Sequence, residues 1–135
     1  MIVEKDFRKL VHQLIKDEAA QIQLGGSDLT VHVLDNATKI FLSTPVYLGD
    51  NFIPKSVRAS LSKKPSFEHE HVAGYLSVNE EHSSVALNYL GRLDHLKKRM
   101  FIDLLEDFSS LAEEWRLYLD ENDKHDLIHV RIPKP

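Results

Sequence analysis

The densest group of side chains able to do chemistry is FEHEHV at 67–72. His69 and His71 stand two residues apart, so on a strand they would face one side. Two imidazoles so placed suit zinc or copper, with Glu68 or Glu70 orienting the rings. A third ligand would have to come from His82 or His95. No metal-site spacing is matched. The group therefore reads as a solvated approach to a strand, and neither a metal nor another cofactor is expected. His12, His32, His125 and His129 are scattered, and each reads as a surface or half-buried residue rather than a catalytic base.

Other chemistries find no better footing. No GxSxG, HExxH, Walker or GxGxxG pattern occurs, and each of those needs its spacing to work. Gly25-Gly26 follows a helical pattern, whereas a phosphate cradle places its glycines before a helix N-terminus. Glu80-Glu81 and Glu113-Glu114 are adjacent, and adjacent residues on a helix do not face each other. The chain has no cysteine, which excludes disulfides, thiolate metal sites and a cysteine nucleophile. Arg92, Lys97, Lys98 and Arg99 could touch nucleic acid near the start of a helix. The dipole disfavours cations there, and the net charge of −4 lacks the basic excess of a nucleic-acid binder. A protein-binding domain, not an enzyme, is the reading that remains.

The elements that would position such a surface are legible in the periodicity. Phe7, Leu10, Val11, Leu14, Ile15, Ala19 and Ile22 recur at steps of three and four, predicting a helix over 4–22 stopped by Gly25-Gly26. Alternation predicts strands at 28–34 and 38–43 around an Asp35-Asn36 turn, with a short third strand at 45–48. Phe52, Ile53, Val57 and Leu61 fit a short helix within 51–64, ended by Pro65. A second hairpin falls at 71–79 and 83–90. Leu93, Leu96, Met100, Leu104, Phe108, Leu111, Trp115 and Tyr118 predict a long helix over 92–119, about 40 Å at 1.5 Å per residue. Phe101, Leu105, Ala112 and Leu119 widen its stripe, and Trp115 is expected to be largely buried. The tail at 125–135 alternates and predicts an edge strand blunted by two prolines. The fold class expected is a single α+β domain over the whole chain. Its order is helix, antiparallel β-meander, short helix, β-hairpin, long C-terminal helix.

With 135 residues, 42% of them hydrophobic, the chain has enough apolar material for one core. Charged residues make up 28% and are mixed in sign, which argues against disorder. The opening MIVEKDFRKL lacks the apolar run of a secretory signal, and no stretch reads as a membrane span. The expectation is a cytoplasmic protein without membrane or nucleic-acid partners.

The hairpin VAGYLSVNEEHSSVALNYLGRL (72–93) followed by FIDLLEDFSSLAEEWRLYLDE (101–121) resembles the class I type III secretion chaperones of the Tir-chaperone (CesT-like) family. In that family a strand pair runs into a final amphipathic helix with an aromatic near Phe108 and an ending like LAEEWRLYL. Element order extends the resemblance over nearly the whole chain. It implies a small acidic cytoplasmic dimer, homomeric or formed with a related chaperone, that binds an extended segment of a secreted protein. Such a segment adds strands at sheet edges and places side chains in apolar grooves. An adaptor on the same scaffold, like the YbjN-like proteins, is the alternative, and a histidine-based metal-binding protein is a third.

Two surfaces follow from these readings. Both faces of the first hairpin carry apolar residues, while a sheet covered on one side needs only one apolar face. The surplus, with the first helix, predicts a client groove from Phe7, Leu10, Leu14, Leu34, Ile40, Phe41 and Leu42. The short middle helix has few obvious partners, which predicts a dimer interface from Phe52, Ile53, Val57 and Leu61.

Overall fold

The computed structural model describes residues 2–49, 52–62, 74–94 and 96–131, with side chains described for all of these except 62 and 122–131. Helix α1 spans Glu4–Asp17, and strands β1, β2 and β3 span Ala19–Leu24, Ser27–Leu34 and Lys39–Leu48. Helix α2 covers Lys55–Ser62, strands β4 and β5 cover Tyr75–Asn79 and Ser84–Arg92, and helix α3 covers Lys98–Arg131. The α+β order matches the one the periodicity predicts. All five strands join one antiparallel sheet in the order β1-β2-β3-β5-β4.

The first helix is shorter than predicted. Glu18 takes a left-handed conformation (φ 58°) and its N–H bonds the Leu14 carbonyl, which ends α1. Ala19 and Ile22 therefore belong to β1, paired with His32 and Leu29 of β2. AAQIQL has adequate helix propensity, but pairing along β2 overrides it. Gly25 and Gly26 do not stop a helix. They close the β1–β2 hairpin with φ of 58° and 80°, the backbone a two-residue turn between twisted strands requires. Residues 45–48 are no separate strand either. They continue β3 past an irregularity between Pro45 and Tyr47.

One face of the sheet packs on the helices. Leu29 and Val31 of β2, Ile40, Leu42 and Val46 of β3, and Val85 and Leu87 of β5 are buried in one cluster with Leu105, Phe108, Ala112 and Leu119 of α3. Phe7, Leu10 and Leu14 of α1 join that cluster, with the Phe7 ring meeting Phe101 edge-on at 5.7 Å. Helix α2 packs on α3. On the opposite face Tyr75 and Leu90 are each about half exposed, while Phe41 is half-buried and Asn88 buried.

Helix α3 differs from the prediction at both ends. It begins at Lys98, because β5 runs on to Arg92 and Leu93 still donates to the Thr38 carbonyl. It continues to Arg131, so 125–131 is helix and not an edge strand. Alternation of apolar residues over so short a stretch does not separate strand from helix. The most buried line of α3 is also rotated from the one predicted. Phe101, Leu105, Phe108, Ala112 and Leu119 form its centre, while Met100 is exposed and Trp115 only half-buried, edge-on to Tyr118 at 5.8 Å.

Candidate binding grooves around the first helix

Helix α1 rests on the sheet along Phe7, Leu10 and Leu14, one residue per turn as the 3.6-residue period demands. Its two flanks are consequently left beside the sheet, and each borders a groove.

On one flank Val11 and Ile15 face Val33 of β2, Leu93, and Phe101 of α3 across an apolar groove of about 780 Å³. Ile15 is 79% exposed. Asn36 and Ala37 form the far rim. They belong to a turn in which Asp35, Asn36 and Ala37 all have positive φ, a conformation that Asp and Asn accept more readily than Ala. Thr38 fixes the turn by donating from its Oγ1 to the Asp35 carbonyl at 2.7 Å. Lys98 sits at the mouth of the groove, its Nζ 5.9 Å from the Phe7 ring centre and donating to Glu4 Oε1 at 2.7 Å. That hydrogen bond, with the Lys98 charge, holds the Glu4 carboxyl below its ordinary range, and Arg8 adds to the effect.

The other flank borders the edge of β1 that is unpaired among the described residues, where a groove of about 710 Å³ runs between α1 and the strand. The hairpin geometry decides which β1 groups point outward. Glu18 accepts from Val33 N–H, and Leu24 pairs with Ser27 across the tight turn. Even-numbered β1 residues therefore bond to β2, because antiparallel ladders alternate. The N–H and C=O groups of Ala19, Gln21 and Gln23 face the open edge, a template for an added strand. Asp6, Lys9, Leu10 and Gln13 of α1 form the opposite wall.

Helix α3 pins this edge in place. Ser109 Oγ donates to the Leu24 carbonyl at 2.7 Å, and Arg116 Nη1 donates to the Gly26 carbonyl at 2.9 Å and Ser27 Oγ at 2.7 Å. Arg116 Nη2 also donates to the Gly25 carbonyl at 3.3 Å, so the hairpin tip cannot swing without breaking these polar contacts.

The residues predicted for client binding do not form one surface. Phe7 and Leu14 line the floor of the apolar groove and Leu10 that of the β1 groove, all three largely buried. Ile40 and Leu42 are core residues at 0% exposure, beyond reach of a client. Leu34 and Phe41 lie on the sheet face opposite the helices, with Phe41 beside His32 and opposite Leu90. The apolar groove also takes Val11, Val33, Leu93 and Phe101, which the sequence reading does not place at the client site, and Ile15, which it places on the α1 stripe with Phe7, Leu10 and Leu14. Val11 and Ile15 did carry a signal, since they sit on the shoulder of the α1 stripe. The residues around the middle helix are divided likewise. Ile53 and Val57 are buried in the chain's own core and Leu61 is half-buried, leaving Phe52 exposed.

His69, His71 and His95 lie outside the described residues, and among the described residues no group of three or more His, Asp or Glu could hold a metal ion. Among the described residues, no helix is long and apolar enough to cross a membrane.

Solved structures share this arrangement. A chain of the ExsC–ExsE complex superposes with a TM-score of 0.59 at 17% identity, covering 87% of this chain and 96% of that one. This chain thus shares the fold of that chain. A chain of the heterodimeric ExoU–SpcU complex, from the type III secretion system of Pseudomonas aeruginosa, gives a TM-score of 0.54 at 16% identity over 78% of this chain and 83% of that one. A chain of the ExoT–SpcS complex from Pseudomonas aeruginosa gives 0.53 at 17% identity over 83% and 98%. No protein-family model matches the sequence, and no curated protein matches it closely enough to report. At these identities the likeness is one of backbone arrangement.

Proposed function

We propose that this chain is a cytoplasmic type III secretion chaperone that holds an extended, partly unfolded segment of a secreted effector or secretion-apparatus protein. The observation that carries the reading is the apolar groove beside α1, in which exposed Ile15 and half-buried Val11 stand next to Val33, Leu93 and Phe101. Exposed apolar surface rimmed by polar groups marks a binding site. The β1 edge supports the same reading, since an extended segment gains main-chain hydrogen bonds there and specificity from alternate side chains. In this reading no catalysis and no cofactor are needed, because binding alone keeps the segment unfolded.

The chaperone pairs with a second copy or with a related chaperone. Burial of Ile53 and Val57 removes them from that contact. The sheet face opposite the helices supplies it instead, where Tyr75, Leu90 and Leu34 are exposed beside half-buried Phe41. The test is co-expression with candidate secreted proteins from the native host, followed by limited proteolysis of the complex. A protected, extended stretch of an exported protein, lost on Ile15→Asp with thermal stability kept, is the expected result. A partner that is not exported favours an adaptor on the same scaffold. No loss of binding on Ile15→Asp removes the groove from the mechanism.

A further inference from the structure

The two grooves flank α1, and the crest of the helix between them is basic. Lys5, Lys9, His12 and Lys16 succeed one another at steps of four, three and four, which stacks them in one line opposite the buried line. Arg8 stands beside them, and Arg8, Lys9, His12 and Lys16 border a shallow concavity of about 470 Å³. The carboxylates of α1 lie off this line. Glu4 is engaged by Lys98 and Arg8, Asp17 accepts from the Gln13 side-chain amide, and Asp6 lies on the wall of the β1 groove. Among the described residues Lys5, Lys9 and Lys16 have no ion-pair partner. In a chain of net charge −4 this row of unneutralised cations is a local reversal of sign. Lys9 and Gln13 border both the crest and the β1 groove, so those two surfaces are continuous.

We infer that the bound segment is acidic where it crosses α1: it adds a strand to β1, passes over the basic crest, and sets an apolar side chain into the Val11–Ile15 groove. This rests on the binding reading above and names the chemistry of the partner. A helix with side chains is about 10–12 Å across and an extended chain advances about 3.3–3.6 Å per residue, so the crossing spans about three or four residues. Carboxylates within that span meet Lys9, His12 and Lys16. Each exposed pair contributes little alone, but several of one sign together steer association and fix register.

The test uses the full chain and three synthetic peptides of about sixteen residues, each with a Val/Thr strand half, a short crossing and a Leu-rich anchor. The crossings are Glu-Asp-Glu, Ser-Gly-Ser and Lys-Arg-Lys. Affinity is read by fluorescence anisotropy at about 50 and 300 mM salt, conditions that differ in screening length. The acidic crossing is expected to bind at least about tenfold tighter than the basic one, a preference that shrinks at high salt and inverts in the Lys9→Glu/Lys16→Glu double variant. Equal affinities for the three peptides overturn the inference while leaving the grooves intact, provided Gln21→Pro and Ile15→Asp each weaken all three. Binding that ignores both of those variants overturns the groove reading itself, and failure of every peptide to bind overturns both. A single-stranded oligonucleotide competing as well as the acidic peptide would show a general polyanion surface and also overturn the inference.

Discussion

Thr44 is a buried polar side chain, 1% exposed, whose Oγ1 has no hydrogen-bond partner among the described residues. A buried hydroxyl without a partner carries its desolvation penalty uncompensated. Thr44→Val keeps the shape and removes the hydroxyl, so thermal denaturation should show stability raised by about 1 kcal/mol. Glu80 is the opposite case. Both of its oxygens lie 2.9 Å from Arg58 guanidinium nitrogens, and Arg58 Nε also donates to the Ile53 carbonyl. The hydrogen bond from Arg58 holds the Glu80 carboxyl below its usual range. A carboxyl lowered by folding contributes stability above its unfolded value, and that contribution is lost as pH falls through the folded value. Melting temperatures of the parent chain and Glu80→Gln should therefore differ slightly at neutral pH and converge as pH falls below about 4 and through the lowered folded value.

At the scale of elements, β1 offers a paired comparison. Gln21 points its N–H to the open edge and Ile22 points its N–H to β2, as the hairpin register requires. Proline removes one N–H wherever it stands. Gln21→Pro should leave the fold within about 1 kcal/mol of the parent while blocking strand addition. Ile22→Pro should lose a ladder bond and cost about 3 kcal/mol or more. Circular dichroism melts separate the two, and a binding assay with the same variants shows whether the edge is used. The tie between α3 and the hairpin tip is tested by Arg116→Ala, which deprives the Gly26 carbonyl and Ser27 Oγ of their donor. Hydrogen exchange should rise at 24–28 with little change in the centre of the sheet, because openings of this kind are local.

For the whole molecule, the two faces of the sheet have different fates. One is sealed by α1 and α3, and the other displays Tyr75 and Leu90. Light scattering is expected to give twice the chain mass, and Leu90→Glu should yield a monomer that still melts cooperatively. Val57→Asp should instead unfold the chain, since Val57 is fully buried and an unpaired buried charge costs about 3–5 kcal/mol. A dimer that survives Leu90→Glu would place the contact elsewhere.

Much of this protein was determined by local pattern. The alternation of Leu29, Val31 and Val33, the apolar steps of α1 and α3, and the turn residues at Asp35-Asn36 fix the kind and order of the elements, because side-chain period and turn chemistry are properties of short segments. Local pattern could not decide that Ala19–Leu24 pairs as a strand, since helix and strand compete there and only β2 settles it. Nor could it decide that Ile53 and Val57 turn inward or that Ile15 stays exposed. An apolar side chain looks the same in sequence whether it fills a core or waits at a surface. The choice depends on how much of each stripe the neighbouring elements have room to cover, and that is set when α1, α3 and the sheet pack together.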